Sequence, residues 1–564
     1  MLTVARPRTP RRTHVSGPAG RSPGWLLAGG FLAHVVLRLW LFRYHAGPVA
    51  NPDETGYLIA ARWLAGGPGA DFTGSTFYQG GYALLLAPIY WFTSDPATVY
   101  RAVVVAGSVV AAGAYPLAYL GLRRLELGRR AALVLAFVAA LAPALLLFSG
   151  LALADAILPT VLLGWLLAVH DLARSGSARA GAVAGGLAAF AMAVHLRGTV
   201  VLAVYVVVVA GLLVARRVPR RAGLVSLGVA AAVAAAGKVL NDALSSALYP
   251  GGPRDLSGLL ASRLTGVEGQ AWALSGAVGQ LWYLIAGTWG LAGIGLAAAV
   301  ALTVRRGAPF ALRVTAATLL VTTLGIAYAS SAALPDEHRV GNYVYGRYLA
   351  CVAVAWLLAG LVVLVRARRA AVLRYAAVAA GLLAATGGVA AWYAGDRLRR
   401  YAFIAFDFPE VSFLSGVRDS LDMVAASAVA LALLACLVVA ALVPRRTLTV
   451  VAALAAVNVA FAVDLAPKSA PAGGRDWLPA PPPGRVAVDS RVPWNVWVPL
   501  THRVWWTKLE RYDGEHQAPP AGACTAVVPP TAGPPPAGWT SSGDGGTHQG
   551  WTSWSGPGCD RRHP

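Results

Sequence analysis

Long apolar runs alternate with short polar connections from residue 24 to residue 466. An apolar run of about 20 residues is long enough to cross a lipid bilayer as an α-helix. On this basis we predict about 13 transmembrane helices, at 24–44, 98–121, 130–149, 152–171, 179–195, 197–215, 222–243, 276–303, 311–331, 347–365, 373–394, 421–443 and 447–466. The predicted fold class is therefore an all-α polytopic membrane protein.

The first long connection, 45–97, contains two shorter apolar stretches. In 57–65 the apolar residues recur at helical spacing, with Arg62 on the opposite face. The stretch 77–92 is too short to cross a bilayer and is rich in glycine, proline and aromatic residues. Both stretches predict interfacial helices within a first outer loop.

Composition and charge agree with a membrane protein. Only 13% of the residues are charged, against roughly 25% in soluble domains, and the mean hydropathy is +0.59. The net charge of +22 comes from arginine clusters in alternate connections, which is a topology signal and does not predict a nucleic-acid partner. The pattern predicts a multi-pass protein of the plasma membrane with a cytoplasmic N terminus and an extracytoplasmic C terminus. One outer connection, with Arg397, Arg399 and Arg400, departs from the pattern.

The two ends of the chain differ from the apolar region. Residues 1–23 are basic and rich in proline and glycine, which predicts a disordered cytoplasmic segment. A proline-rich linker, 467–484, leads into a polar region, 485–564, for which we predict a small extracytoplasmic α/β domain with RVAVD and TAVV as strands. Cys524 and Cys559 lie in this region and predict a disulfide, because an extracytoplasmic compartment permits oxidation.

Carboxylates at the outer ends of helices are the first functional candidates. Asp53 and Glu54 form an adjacent pair in the first outer loop. Asp155 follows a turn near Gly150 and lies at the start of a predicted helix. An ionisable residue at that depth is a functional candidate, although a simple helix cap would also explain it.

Basic and tyrosyl residues cluster in later outer connections. HLRGT places Arg197 at a break between two spans, and LPDEHRVGNYVYGRYLA contains Arg339, Tyr345 and Arg347. Arginine and tyrosine can donate several hydrogen bonds to a phosphate, although anchoring at the membrane interface is the simpler alternative. The DEH run adds His338 as a candidate metal ligand. The chain has no Walker A, GxGxxG-after-strand or HExxH motif, so ATP-driven, dinucleotide and zincin chemistry lack support.

Over about residues 24–466 the chain resembles the GT-C superfamily, polytopic glycosyltransferases that use polyprenyl-phosphate sugars, such as protein O-mannosyltransferases and lipid A aminoarabinose transferases. The resemblance rests on the order of four short motifs. These are PDETGYLIAARWLAGG in the first outer loop, YQGGYALLLAPIYWF after it, LADAILP at a helix end, and GRY in a late outer loop. In YQGG, 78–81, the chain differs from the Lys-Pro-Pro or Pro-Pro typical of the family.

The resemblance implies roles for these residues. Asp53 corresponds to the acid that positions or deprotonates the acceptor hydroxyl, with Glu54 as its rival, and Asp155 matches a second acidic position. The residues expected to hold the donor phosphate are Arg339, Tyr345, Arg347 and Arg197. Some members also bind a divalent metal ion beside the phosphate, for which the candidate ligands are Asp53, Glu54 and His338.

The predicted function is inverting transfer of a sugar from a polyprenyl-phosphate donor to an extracytoplasmic acceptor, which is a cell-wall glycan, a lipid or a protein. One alternative is a flippase or transporter of lipid-linked sugars, which should carry ionisable residues at mid-membrane depth. The other is a non-catalytic cell-envelope scaffold whose tail binds polymer through Trp494, Trp497, Trp505 and Trp506.

Overall fold

The computed structural model describes residues 24–45, 47–50, 52–93, 95–467, 485–493, 496–497, 500–501, 509–541 and 550–557. Some of the predictions above concern residues outside these ranges. They are the N-terminal segment 1–23, the linker residues 468–484, and Cys559, Trp494, Trp505 and Trp506.

Most of the described residues between 24 and 465 are helical. Its α-helices are α1 (Gly24–Leu41), α2 (Asp53–Leu64), α3 (Gly80–Leu86), α4 (Pro96–Ala112), α5 (Ala114–Arg124), α6 (Arg129–Ala139), α7 (Pro143–Leu146), α8 (Leu158–Ser175), α9 (Ala178–Val194), α10 (Arg197–Val214), α11 (Arg220–Leu248), α12 (Leu256–Thr265), α13 (Val267–Gly287), α14 (Leu291–Val304), α15 (Phe310–Ala333), α16 (Gly341–Val344), α17 (Ala350–Arg366), α18 (Arg369–Ala394), α19 (Arg397–Arg400), α20 (Pro409–Ser415), α21 (Met423–Leu442) and α22 (Arg446–Leu465).

Each of the predicted apolar runs coincides with a helix or with a bent pair of helices, which confirms the all-α polytopic fold. Within the described ranges nine helical segments are long and apolar enough to cross a membrane, or up to eleven if α6–α7 and α13–α14 each cross as one bent span. The helices α8 and α9 account for the remaining two predicted spans. The last turns of α8 contain polar residues, and α9 has only 17 residues, so neither is counted among the helices that could cross a membrane. The predicted number of 13 crossings therefore stays a prediction.

The spans differ in how deeply they are buried. The segment Gly341–Arg366, which contains α17, is 72% buried, whereas α18 is 17% buried and α11 is 22% buried. Burial inside a helical bundle requires packing against protein on all sides, while a lipid-facing helix keeps one apolar face exposed. The segment with α17 is therefore central, and the residues at its start lie inside the bundle.

The first connection forms the two predicted short helices, α2 and α3, but α2 is covered on both faces. Arg62, on the face opposite the apolar residues, is 1% exposed. Its guanidinium donates to the carbonyls of Pro68 (2.8 Å, Nε) and Thr501 (3.0 Å, Nη1). This polar face of α2 is therefore buried as well, because the C-terminal region packs against it.

The C-terminal region contains a five-stranded mixed sheet with the order β2-β1-β3-β5-β4. Its strands are β1 (Arg485–Asp489), β2 (Leu509–Tyr512), β3 (Ala523–Val528), β4 (Thr540–Ser541) and β5 (Thr552–Ser555). β1 is parallel to β2 and β3, and β5 is antiparallel to β3 and β4. The two predicted strands are confirmed as β1 and β3. Cys524 in β3 is disulfide-bonded, while Cys351 and Cys436 are free.

Candidate active site

One arginine joins two carboxylates from distant parts of the chain. Arg347 Nη1 lies 2.6 Å from Asp53 Oδ2, and Arg347 Nε lies 2.9 Å from Asp155 Oδ2. Asp155 Oδ1 accepts a further hydrogen bond from Arg197 Nη2 at 2.6 Å. Four residues singled out in the sequence therefore form one continuous chain, Asp53–Arg347–Asp155–Arg197.

These side chains meet because several helices begin at the same end of the bundle. Asp53 and Arg197 are the first residues of α2 and α10, and Asp155 lies in a short 3₁₀ turn before α8. Arg347 lies in another 3₁₀ turn, Gly346–Leu349, directly before α17. A side chain on Gly346 would collide with the ring of Tyr283, whose nearest atom is 2.0 Å from the Cβ position. The turn that presents Arg347 therefore requires glycine.

Asp53 and Glu54 have different environments. The Asp53 side chain is 30% exposed, and its Oδ1 accepts a hydrogen bond from Tyr78 Oη at 2.8 Å. Glu54 is fully buried. Its four hydrogen-bond donors, at 2.6–2.7 Å, are the Val49, Ala50 and Ala152 backbone N–H groups and Tyr100 Oη.

Glu54 therefore ties the first connection to the 148–156 segment and has no oxygen free for a substrate. Burial raises the pKa of Glu54, and the four donors oppose that shift. Of the adjacent pair, Asp53 is the residue that a substrate can reach.

Asp155 is an ion-pair partner and does not cap α8, for which no side-chain capping bond is formed. Its side chain is 1% exposed. Burial alone would raise the pKa of Asp155, but the charges of Arg197 and Arg347 lower it below the usual range. Asp155 is therefore ionised and holds both arginines in place.

Arg339 and Tyr345 lie beside this chain. The Arg339 guanidinium is 5.2 Å from the centre of the Tyr345 ring, and Tyr345 Oη is 3.4 Å from Arg347 Nη1. Arg339 Nε also lies 3.2 Å from a carboxylate oxygen of Glu337. All four residues predicted to hold a phosphate are thus brought together at one end of the bundle.

The candidate metal ligands are not brought together. His338 packs against Tyr401, with 5.1 Å between ring centres, and the Glu54 oxygens are all engaged. Across the part of the chain that the structure describes, no three His, Cys, Asp or Glu side chains are grouped as metal ligands. Asp53, Glu54 and His338 do not fit a divalent cation, and we derive no step through a metal.

Two acidic residues of the site were missed in the sequence. Asp407 and Glu410 follow α18 in the run FIAFDFPEVSF, and both are buried, with exposures of 4% and 6%. Glu410 accepts a hydrogen bond from Tyr283 Oη at 2.6 Å. The sequence did contain a signal for them, because two acidic residues stand among aromatic residues. They lie in the same outer connection as Arg397, Arg399 and Arg400, which departs from the alternation of basic connections.

No known family model and no curated protein sequence matches the chain. Among solved structures, it is similar to ArnT from Cupriavidus metallidurans bound to undecaprenyl phosphate, with a TM-score of 0.54 and 15% identity over 95% of this chain and 98% of that one. The apo state of the same ArnT gives a TM-score of 0.51 and 16% identity, covering 90% and 93%. The arabinosyltransferase EmbB from Mycobacterium smegmatis gives 0.44 and 16%, covering 81% and 42%.

The architecture is therefore that of a multi-pass membrane protein with a small appended sheet domain. Its fold is similar to that of the ArnT structures.

Proposed function

We propose that the protein is a membrane glycosyltransferase that transfers a sugar from a polyprenyl-phosphate carrier to an extracytoplasmic acceptor. A prenyl chain remains in the bilayer, so the reacting phosphate must be met where helices end at the membrane surface. The carboxylates and arginines of the candidate site gather at one end of the helical bundle, which supports this proposal.

The observation that carries this proposal is the position of Asp53. It is a partly exposed carboxylate held by Tyr78 on one oxygen and by Arg347 on the other. A carboxylate fixed in this way can accept a proton from a hydroxyl group, and the neighbouring guanidinium can stabilise negative charge on a phosphate.

The reaction that follows is a single displacement. The acceptor oxygen attacks C1 of the sugar while its proton passes to Asp53. The bond between C1 and the phosphate oxygen breaks, and its electron pair leaves with the polyprenyl phosphate. The configuration at C1 inverts, and the phosphate gains one negative charge, which Arg347 and its neighbours Arg197 and Arg339 offset.

The division of roles follows from exposure. Asp53 contacts the acceptor, whereas the buried Asp155 positions Arg197 and Arg347. Glu54 holds the first connection against residue 152. Tyr78, which stands near the place where the family has lysine and proline, orients Asp53.

The transporter alternative finds less support. Among the described residues, the ion pairs of the site lie at helix ends. Arg38, the buried arginine of α1, donates to the Ala140 carbonyl at the end of α6 (2.8 Å), which is a structural contact. For the scaffold alternative, Trp497 lies under the Arg511 guanidinium at 5.3 Å, so it packs within the C-terminal region.

The test is sugar transfer from a panel of radiolabelled polyprenyl-phosphate sugars, in membranes that carry the full-length protein. We expect label to leave the lipid with the unmutated chain and to remain with Asp53→Asn. Asp71→Asn, an exposed carboxylate in the same connection, is the matched control and should transfer normally. Full transfer by Asp53→Asn would remove Asp53 as the base. Absence of transfer from every donor by the unmutated chain would overturn the enzyme proposal.

A further inference from the structure

Asp407 is a carboxylate of the site to which the proposed reaction assigns no role. It ends a short 3₁₀ helix, Ala405–Asp407, in the connection after α18. Backbone hydrogen bonds of 3.0 Å join Val340 N to Ala402 O and Ala402 N to His338 O. These bonds fix the Asp407 connection beside the one that carries Arg339 and Arg347.

Asp407 is buried without a hydrogen-bond partner on Oδ2 among the described residues. The nearest cation in an ion pair is Arg339 Nη1 at 3.8 Å, which is beyond hydrogen-bond range. Glu410, three residues later, is also buried but accepts a short bond from Tyr283. Buried carboxylates are normally fully hydrogen-bonded, so an unpartnered oxygen calls for a partner that binds there.

Asp407 and Arg347 line the same cleft. Glu410 and Tyr283 also line this cleft. Its remaining wall is largely apolar, with Ala350, Ala353 and Leu284. A mostly apolar cleft with a few converging polar groups is the usual form of a small-molecule site.

Resting on the function proposed above, we propose that Asp407 binds the transferred sugar by accepting a hydrogen bond from one of its hydroxyl groups. The sugar is bonded directly to the phosphate. A phosphate at Arg347 therefore brings the sugar next to the groups that share the cleft with Arg347. A carboxylate is an acceptor only, so it is matched to a hydroxyl donor and not to the phosphate.

The charge state of Asp407 suits this role. Burial raises the pKa of Asp407 to about 6, while Arg339 and Arg347 act in the opposite direction. At neutral pH most of the population is therefore ionised and able to accept.

The competing explanation is that Asp407 only holds Arg339 in place. The two roles differ in which ligand they affect. A sugar contact matters for a lipid phosphate that carries a sugar and not for the bare lipid phosphate. A contact that supports Arg339 matters for both lipids, because both contain the phosphate.

The experiment measures binding of two probes to the full-length protein in lipid nanodiscs. One probe is undecaprenyl phosphate, and the other is the undecaprenyl-phosphate sugar that gives the fastest transfer in the donor panel. The variants are Asp407→Asn and, as a matched control from the same connection, Asp396→Asn. Asp396 is exposed and pairs with Arg400 at the start of that connection.

We expect Asp407→Asn to weaken binding of the sugar-bearing lipid about tenfold, because an amide oxygen accepts a weaker hydrogen bond than a charged carboxylate, and to leave binding of the bare lipid unchanged. Asp396→Asn should change neither. Equal weakening of both lipids, or no change in either, would overturn the sugar contact while leaving the enzyme proposal intact. An unmutated chain that transfers no sugar from any donor would overturn both proposals.

Discussion

The side chains of Asp53 and Glu54 leave the first turn of α2 towards different partners. Asp53 bonds to Tyr78 and Arg347, and Glu54 bonds to the backbone of residues 49, 50 and 152 and to Tyr100. Neighbouring residues on a helix are about 100° apart around its axis, so an adjacent pair is naturally divided between two surroundings. Asp53 contacts the arginine of the site, and Glu54 anchors the connection that presents Asp53.

This difference predicts opposite effects of two similar substitutions. Asp53→Asn should lower transfer at least about 100-fold with little change in thermal stability, because general-base assistance is lost at a partly exposed position. Glu54→Gln should lower the free energy of unfolding by about 1–3 kcal/mol, because its amide NH₂ group must face N–H and O–H donors. Transfer rates per folded molecule and melting temperatures of both variants distinguish the roles. Comparable stability losses in the two would contradict this assignment.

Removal of the central carboxylate should be costly. Asp155→Asn leaves Arg197 and Arg347 buried without their shared counter-charge, which should destabilise the protein by about 3–5 kcal/mol. The matched control is Asp171→Asn, whose carboxylate pairs with Arg124 at a half-buried position and should cost no more than about 1 kcal/mol. Thermal unfolding of both variants in the same detergent measures the difference in stability. Equal losses of stability would argue against a structural role for the ion pairs of Asp155.

Tyr78 should matter for activity more than for stability. Tyr78→Phe removes the hydroxyl group that donates to Asp53 at 2.8 Å and keeps the ring that packs against Tyr57. We expect about a tenfold loss of kcat, because Asp53 loses one of the two contacts that orient it. Tyr249→Phe is a suitable comparison, since its hydroxyl donates to the Thr76 carbonyl and does not touch Asp53. A similar kcat for both variants would remove the orienting role of Tyr78.

Asp407 should impose a pH-dependent cost on stability. The pKa of Asp407 in the folded protein, about 6, lies above the ordinary value of 3.8, so the folded state binds the proton more tightly than the unfolded state. The stabilisation is present below about pH 4 and is lost as the pH rises through about 6. Asp407→Asn should therefore be more stable than the unmutated chain above pH 6, by up to about 3 kcal/mol, and the difference should vanish near pH 4.

Melting temperatures of the two proteins between pH 4 and pH 8 test this prediction. A constant difference across the range would show that the carboxyl group does not titrate there. In the same range, transfer by the unmutated enzyme should fall below about pH 6, because protonated Asp407 has lost the charge that strengthens its hydrogen bond to the sugar hydroxyl.

The contact between Arg62 and Thr501 predicts that the C-terminal region stabilises α2. Arg62→Met should keep most of the apolar packing but remove the hydrogen bonds to the Pro68 and Thr501 carbonyls. We expect faster proteolytic release of the C-terminal region than with Arg101→Met, which changes an exposed arginine of α4. Unchanged proteolysis would show that other contacts hold this region.

Deletion of residues 467–564 would also uncover Arg62, so loss of activity on deletion does not by itself favour the scaffold alternative.

The sequence by itself determined the helical membrane fold, because the length of an apolar run and the spacing of polar connections are local properties. The sequence also predicted β1 and β3, because each is a short apolar run typical of a β-strand. It also singled out Asp53, Asp155, Arg197 and Arg347 one by one, since ionisable residues next to long apolar runs are visible in a linear pattern.

Only the tertiary structure decided which of these residues act together. The link from Arg347 to both Asp53 and Asp155 depends on how the helix starts pack at one end of the bundle, and no local pattern contains that information. Burial decided the rest. Glu54 became an anchor because backbone N–H groups from another segment surround it, and Arg62 became a buried contact because the C-terminal region covers α2. Asp407 entered the site because two connections pair at Val340 and Ala402, which bring a carboxylate with no distinctive motif next to Arg339.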